Sequence, residues 1–159
     1  MAAYAACLLL CFAAAAVGAV ASAGAPEFYQ RLTRPPWAPP PRLFGPVWSV
    51  LYPMIGVAAG LIATLPADRN PRVAQALGLF AIQLALNALW SWLFFAWHLG
   101  RLAGDEIVVL WILIAATLRS FWRLRPVAAW LLIPYLAWVT FAGVLSGVIW
   151  RLNPALLGG

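Results

Sequence analysis

Gln83, Asn87, Trp90 and Phe94 follow one another at i, i+4, i+7 and i+11, the spacing that puts four side chains on one face of a helix. Trp48 and Tyr52 stand one turn apart earlier in the chain, and Tyr135, Trp138, Ala142 and Leu145 repeat a helical spacing near its end. Two amides among large aromatic rings suit one kind of chemistry, stacking on a flat apolar molecule with a few hydrogen bonds to orient it. Stacking contributes on the order of 1 kcal/mol per aromatic pair beyond the area buried. The same stripes would also serve as packing between helices, with amides and rings satisfying one another. Spacing alone leaves both readings open.

Other chemistries lack their residues. Hydrolysis and phosphoryl transfer need paired carboxylates, an activated nucleophile, a metal cluster or a phosphate cradle. The chain has four acidic residues, one histidine and no lysine, and no phosphate-loop, CxxC or HExxH pattern occurs. No metal site is expected. His98, next to Arg101 at the end of an apolar stretch, reads as an interfacial residue rather than a base. Cys7 and Cys11, one turn apart, read as small packing residues. Asp105 follows Gly104 and is expected to cap a helix there, with Glu106 complementing the helix dipole. No carboxylate is then expected inside the membrane, which counts against a proton-coupled pump.

The elements that must position the stripes follow from composition. Of 159 residues, 65% are hydrophobic and 9% charged, against roughly 25% charged in a soluble domain. Crossing a bilayer takes about 20 mostly apolar residues. Five such stretches are expected, at residues 4–24, 43–65, 73–97, 106–122 and 127–150, the fourth with Arg119 snorkelling from its end. The fold class is therefore all-α, an integral multi-pass bundle of five transmembrane helices in one domain covering residues 1–159. Ala21-Ser22-Ala23 resembles a signal-peptidase site, but no positive segment precedes it and the stretch is long, so a retained helix is expected.

Residues 25–42 carry Pro26, Pro35, Pro36, Pro39, Pro40 and Pro41 and read as an extended cap over one mouth of the bundle. The connections at Asp68–Arg72, His98–Asp105 and Arg123–Arg125 are short, so sequential helices should run antiparallel as neighbours. All ten basic residues are arginine and the formal charge is +6. They lie between spans and meet lipid headgroups rather than nucleic acid, since no basic stripe with interleaved aromatics exists. Five fall on each side of the membrane, so charge does not decide orientation. Trp37, Trp97, Trp122 and Trp150, near span ends, read as interfacial anchors. The pairs Gly56/Gly60 and Gly143/Gly147 allow close helix approach, within the bundle or in a homodimer.

Three ordered motifs make the chain resemble the translocator protein family, also called the tryptophan-rich sensory protein or peripheral benzodiazepine receptor family. The first is Leu32-Thr-Arg-Pro-Pro-Trp-Ala-Pro-Pro40 with Phe44-Gly-Pro-Val-Trp48 and Leu51-Tyr52. The second is Gln83-Leu-Ala-Leu-Asn87-Ala-Leu-Trp90 with Leu93-Phe-Phe95. The third is Pro134-Tyr-Leu-Ala-Trp138 with Phe141-Ala142 and Trp150-Arg-Leu-Asn153.

The resemblance implies a five-helix membrane bundle, often dimeric, that binds porphyrins such as protoporphyrin IX and haem as ligands and requires no cofactor. The family's pocket positions fall on Trp48, Asn87, Trp90, Trp138 and Ala142, on the faces that spacing selects, with Tyr52 beside them. Trp48, Trp90 and Trp138 would stack on the macrocycle, and Asn87 would offer an amide hydrogen bond. Arg31, Arg34 or Arg42 would meet propionates, and Trp37, Pro39 and Pro40 would close the mouth. Some relatives degrade porphyrin in light, and Trp48 and Trp138 occupy the positions implicated there. The resemblance thus implies binding or sensing in tetrapyrrole homeostasis or stress response, with porphyrin transport and photo-oxidative degradation as the alternatives. Gly147 stands where sterol-binding relatives carry Tyr, and Ser146 where Asn is usual, which puts sterol binding in doubt. Arg42 and Trp92 replace a Trp and a Pro.

Overall fold

A computed structural model describes residues 1–66 and 70–158. Among them are five helices long and apolar enough to cross a membrane. α1 covers Ala2–Ala21, and a short α2 covers Ala25–Arg31. A 3-10 turn at Pro41–Leu43 leads into α3, Phe44–Ala63. α4 spans Pro71–Ser91 and runs into a π-turn at Trp92–Ala96. α5 covers Gly100–Leu124, and the last span is broken into α6, Pro126–Trp130, and α7, Ile133–Leu152.

Several boundaries differ from those expected, each for a local reason. α2 is helical where an extended cap was expected over residues 25–42, because Pro26 sits in its first turn, where a missing N–H costs nothing. α4 starts at Pro71 rather than 73, since the Asn70 side chain accepts a hydrogen bond from the Arg72 amide at 3.1 Å and Pro71 is a favoured first residue. The connection at Asp68–Arg72 lies partly outside the described residues. Pro134 removes a donor from the first turn of α7, so the span expected at 127–150 is interrupted at Leu131 and Leu132.

The largest shift is in α5, which begins six residues before the expected 106. The Gly100 amide donates to the Leu157 carbonyl at 2.7 Å. A Cβ on Gly100 would lie 2.6 Å from Trp150 Cδ1, so only glycine fits against the carboxyl-terminal end. Asp105 is therefore not a helix cap but a residue of the second turn, and Glu106 lies inside a membrane span. The expectation that no carboxylate enters the membrane is corrected.

The packing order is not the chain order. α1 packs against both α3 and α4, α4 against α5, and α5 against α7, with α6 and α7 returning to α3. α1 is thus wedged between the second and third spans, which were expected to be neighbours and still touch beside it. Gly56 and Gly60 make the wedge fit: a Cβ on Gly56 would stand 2.7 Å from Leu8 Cδ2, and one on Gly60 would press into the Tyr4 ring. Gly143 makes ordinary contact with Ile107, and Gly147 has nothing near it.

Candidate functional site

The helices enclose a cavity of about 540 Å³, within the range of roughly 300–1,000 Å³ common for small-molecule sites. Trp48 and Tyr52 of α3, Asn87 and Trp90 of α4, and Trp138 and Ala142 of α7 all line it. Six positions spread over almost a hundred residues, picked by spacing and by resemblance, therefore meet in one space.

Each tryptophan is braced by another ring. Trp48 leans on Tyr52 with centroids 5.1 Å apart, and meets Tyr135 edge-on at 6.1 Å. Trp90 stacks on Phe94 at 5.2 Å and an interplanar angle of 11°. Trp138 meets Phe44 edge-on at 5.9 Å and Phe141 at 5.6 Å. Rings held in this way lose little freedom when a further flat molecule is added.

Two of the lining residues, Tyr52 and Asn87, belong to a polar chain that continues behind the cavity wall to Tyr135 and Gln83. The Tyr52 hydroxyl donates to Asn87 Oδ1 at 2.7 Å, Asn87 Nδ2 donates to the Tyr135 hydroxyl at 3.1 Å, and that hydroxyl donates to Gln83 Oε1 at 2.8 Å. The chain of bonds ties α3, α4 and α7 together in one donor direction, which strengthens each link. It also occupies most of the Asn87 amide, leaving it one N–H for a ligand. Two buried donors have no hydrogen-bond partner among the described residues, Gln83 Nε2 and Trp90 Nε1, and of these residues Trp90 lines the cavity. Residue typing marks Trp90 as a stacking ring and misses this second capacity.

The roof differs from the one expected. Pro26 and Tyr29 of α2, with Pro41 and Phe44, line the cavity, whereas Trp37, Pro39 and Pro40 do not. Those three lie behind the roof. Trp37 meets Phe141 edge-on at 6.0 Å, the Pro39 carbonyl accepts from the Tyr29 hydroxyl at 3.2 Å, and Pro40 precedes the 3-10 turn. A helical α2 brings Tyr29 to the cavity, and of the prolines at residues 25–42 it is Pro26 and Pro41 that line it. The roof is latched from the far end of the chain: the Asn153 side chain accepts from the Thr33 amide and donates to the Thr33 carbonyl, both at 2.8 Å. Arg31, Arg34 and Arg42 are all exposed, and Arg34 lies 4.8 Å over the Tyr29 ring. Burial pushes the Tyr29 hydroxyl above the ordinary tyrosine range, with Arg34 pulling it down.

α1 supplies a wall that no motif marked. Phe12, Ala15 and Gly18 face the cavity, and Cys7 and Cys11 are buried on the same helix. The helix is apolar all round, so its sequence carries no contrast between the face toward the cavity and the face toward lipid. His98 stacks on Phe28 of α2 at 4.1 Å and adopts φ 56°.

The sequence profile of the TspO/MBR family matches residues 6–151, which take in all five spans and every cavity position named above. The chain belongs to the TspO/MBR family. It is 42% identical over 153 residues to the tryptophan-rich protein TspO of Chlorobaculum tepidum, covering 93% of this chain and 94% of that protein. It is 40% identical over 146 residues to protein CrtK of Rhodobacter capsulatus, covering 91% and 88%. The human translocator protein is 36% identical over 136 residues, covering 84% and 79%. Membership of the TspO/MBR family and five spans make the chain an integral, multi-pass membrane protein of binding or sensory type.

Proposed function

We propose that the protein binds porphyrins, such as protoporphyrin IX and haem, in the cavity within the membrane and acts as a sensor in tetrapyrrole homeostasis or stress response. The observation that carries this reading is the convergence of Trp48, Trp90 and Trp138, three braced rings from three helices, on one cavity with few polar lining groups. A flat macrocycle offers these rings a face to stack on. Its carboxylates offer acceptors to the free Trp90 Nε1, and the roof closes over it. Arg34, stationed over Tyr29, is the cation that a propionate at the roof would meet first.

The test is titration of the detergent-purified protein with protoporphyrin IX, read by quenching of tryptophan fluorescence. Wild type is compared with Trp138→Phe and Trp90→Phe, and with Trp130→Phe as a control whose ring is remote from the cavity. Saturable binding that weakens in the first two and not in the control is the expected result. A folded protein without saturable binding returns the aromatic stripes to packing and anchoring.

A further inference from the structure

We propose that Glu106 is a proton-binding site inside the membrane, coupled to occupancy of the cavity beside it. Both carboxyl oxygens of Glu106 are buried, and neither has a hydrogen-bond partner among the described residues. The other buried side-chain atoms in that condition are Gln83 Nε2 and Trp90 Nε1, both on α4, the helix packed against α5. The unmet polar groups of the bundle thus gather on two adjoining helices.

Glu106 sits six residues into α5, roughly 9 Å along the axis of a helix long and apolar enough to cross a membrane. Leu110, one turn further and on the same face, lines the cavity, as does Ile107 next to it. Glu106 itself does not line the cavity but lies beside two residues of its helix that do.

A bare carboxylate in that position would be a buried charge without a counter-ion. No cation answers it. Arg101 and Asp105 on α5 are exposed, and no donor among the described residues reaches either Glu106 oxygen. α7 brings Tyr135, within electrostatic reach, and Arg151, which is exposed. The only charged residue of α4 is Arg72 at its opposite end, the π-turn and α6 bring none, and His98 is held on Phe28. The smallest partner that removes this charge is a proton, and a neutral carboxyl costs far less to bury than a bare carboxylate.

Coupling follows from position. An empty cavity admits water next to Leu110 and Ile107, and an apolar ligand displaces that water, so filling the cavity makes the ionised form costlier still. By reciprocity, ligand binding tightens when Glu106 carries its proton. The coupling rests on the porphyrin reading, and the proton site does not.

The experiment is an infrared pH titration of the protein in lipid nanodiscs, taken as the difference between wild type and Glu106→Gln, with and without protoporphyrin IX. The difference cancels the carboxyls of the ligand. The expected result is a protonated-carboxyl band that persists at neutral pH, is absent in Glu106→Gln and moves in frequency in Glu106→Asp. Its midpoint should shift upward by about one pH unit or more when ligand is bound, a tenfold gain in proton affinity.

A band that titrates in the ordinary carboxylate range near pH 4, or no Glu106 band at all, overturns the proposal whatever the ligand does. An unmoved midpoint, with ligand shown to be bound by tryptophan quenching, overturns the coupling. A persistent band in a folded protein that binds no porphyrin supports the proton site and rejects the porphyrin reading instead.

Discussion

The two ends of the bundle are built on opposite principles. At the end holding Ile62, Phe121, Ala128 and Leu132, these side chains are buried, and α1 packs closely on α3 at Gly56 and Gly60. At the other end rings from α3, α4 and α7 line an open space under α2. Between them lies the Tyr52, Asn87, Tyr135 and Gln83 chain, buried at every member and shared by both halves. A cavity in a small membrane protein needs a rigid partner region, and here small residues supply the rigidity while large ones surround the void.

The comparison breaks most sharply at Gly60. Gly60→Val should drive a side chain into Tyr4 and cost about 1–3 kcal/mol or more, read as a lower thermal midpoint in detergent. Gly147→Val, with nothing near its Cβ, should leave the midpoint unchanged. Equal effects at the two glycines would mean that the packed end does not carry the stability.

Next in size is the dividing chain. Tyr135→Phe leaves Asn87 Nδ2 and Gln83 Oε1 unpaired and should cost about 1–3 kcal/mol in the same unfolding assay. The latch is weaker. Asn153→Ala removes both bonds to Thr33, worth about 1–2 kcal/mol between them, and should raise hydrogen exchange over residues 25–43 while the packed end stays protected.

Trp138→Phe keeps a ring against Phe44 and should alter stability little. It should weaken porphyrin binding by roughly tenfold, the scale of one stacking contact. The smallest effect is at Tyr29. Its hydroxyl titrates higher in the fold than in the unfolded chain, so its contribution is fully present below the ordinary tyrosine value. That contribution is lost as pH rises through the folded value. Tyrosine absorbance followed with roof exchange should show the roof loosening only in that alkaline range, and Tyr29→Phe should abolish the step.

Apolar length between charges, and helical spacing within each stretch, determined by themselves the five spans and the faces that carry Gln83, Asn87, Trp90, Tyr135 and Trp138, because both are local properties of the chain. The family membership was legible in the same way, from motifs quoted residue by residue. The start of α5 was not. Gly100 and Gly104 read as loop, and only contact with Trp150 and Leu157 holds Gly100 in a helix. That one shift moved Glu106 into the membrane.

Nor could sequence say that α1 would stand between α3 and α4, since a helix apolar on every side names no partner. Which hydrogen bonds the Asn87 amide makes, and that Trp90 Nε1 makes none, depend on distances between residues far apart in the chain. Periodicity fixes which way a side chain points from its own helix. What it meets there is settled by the arrangement of the other helices.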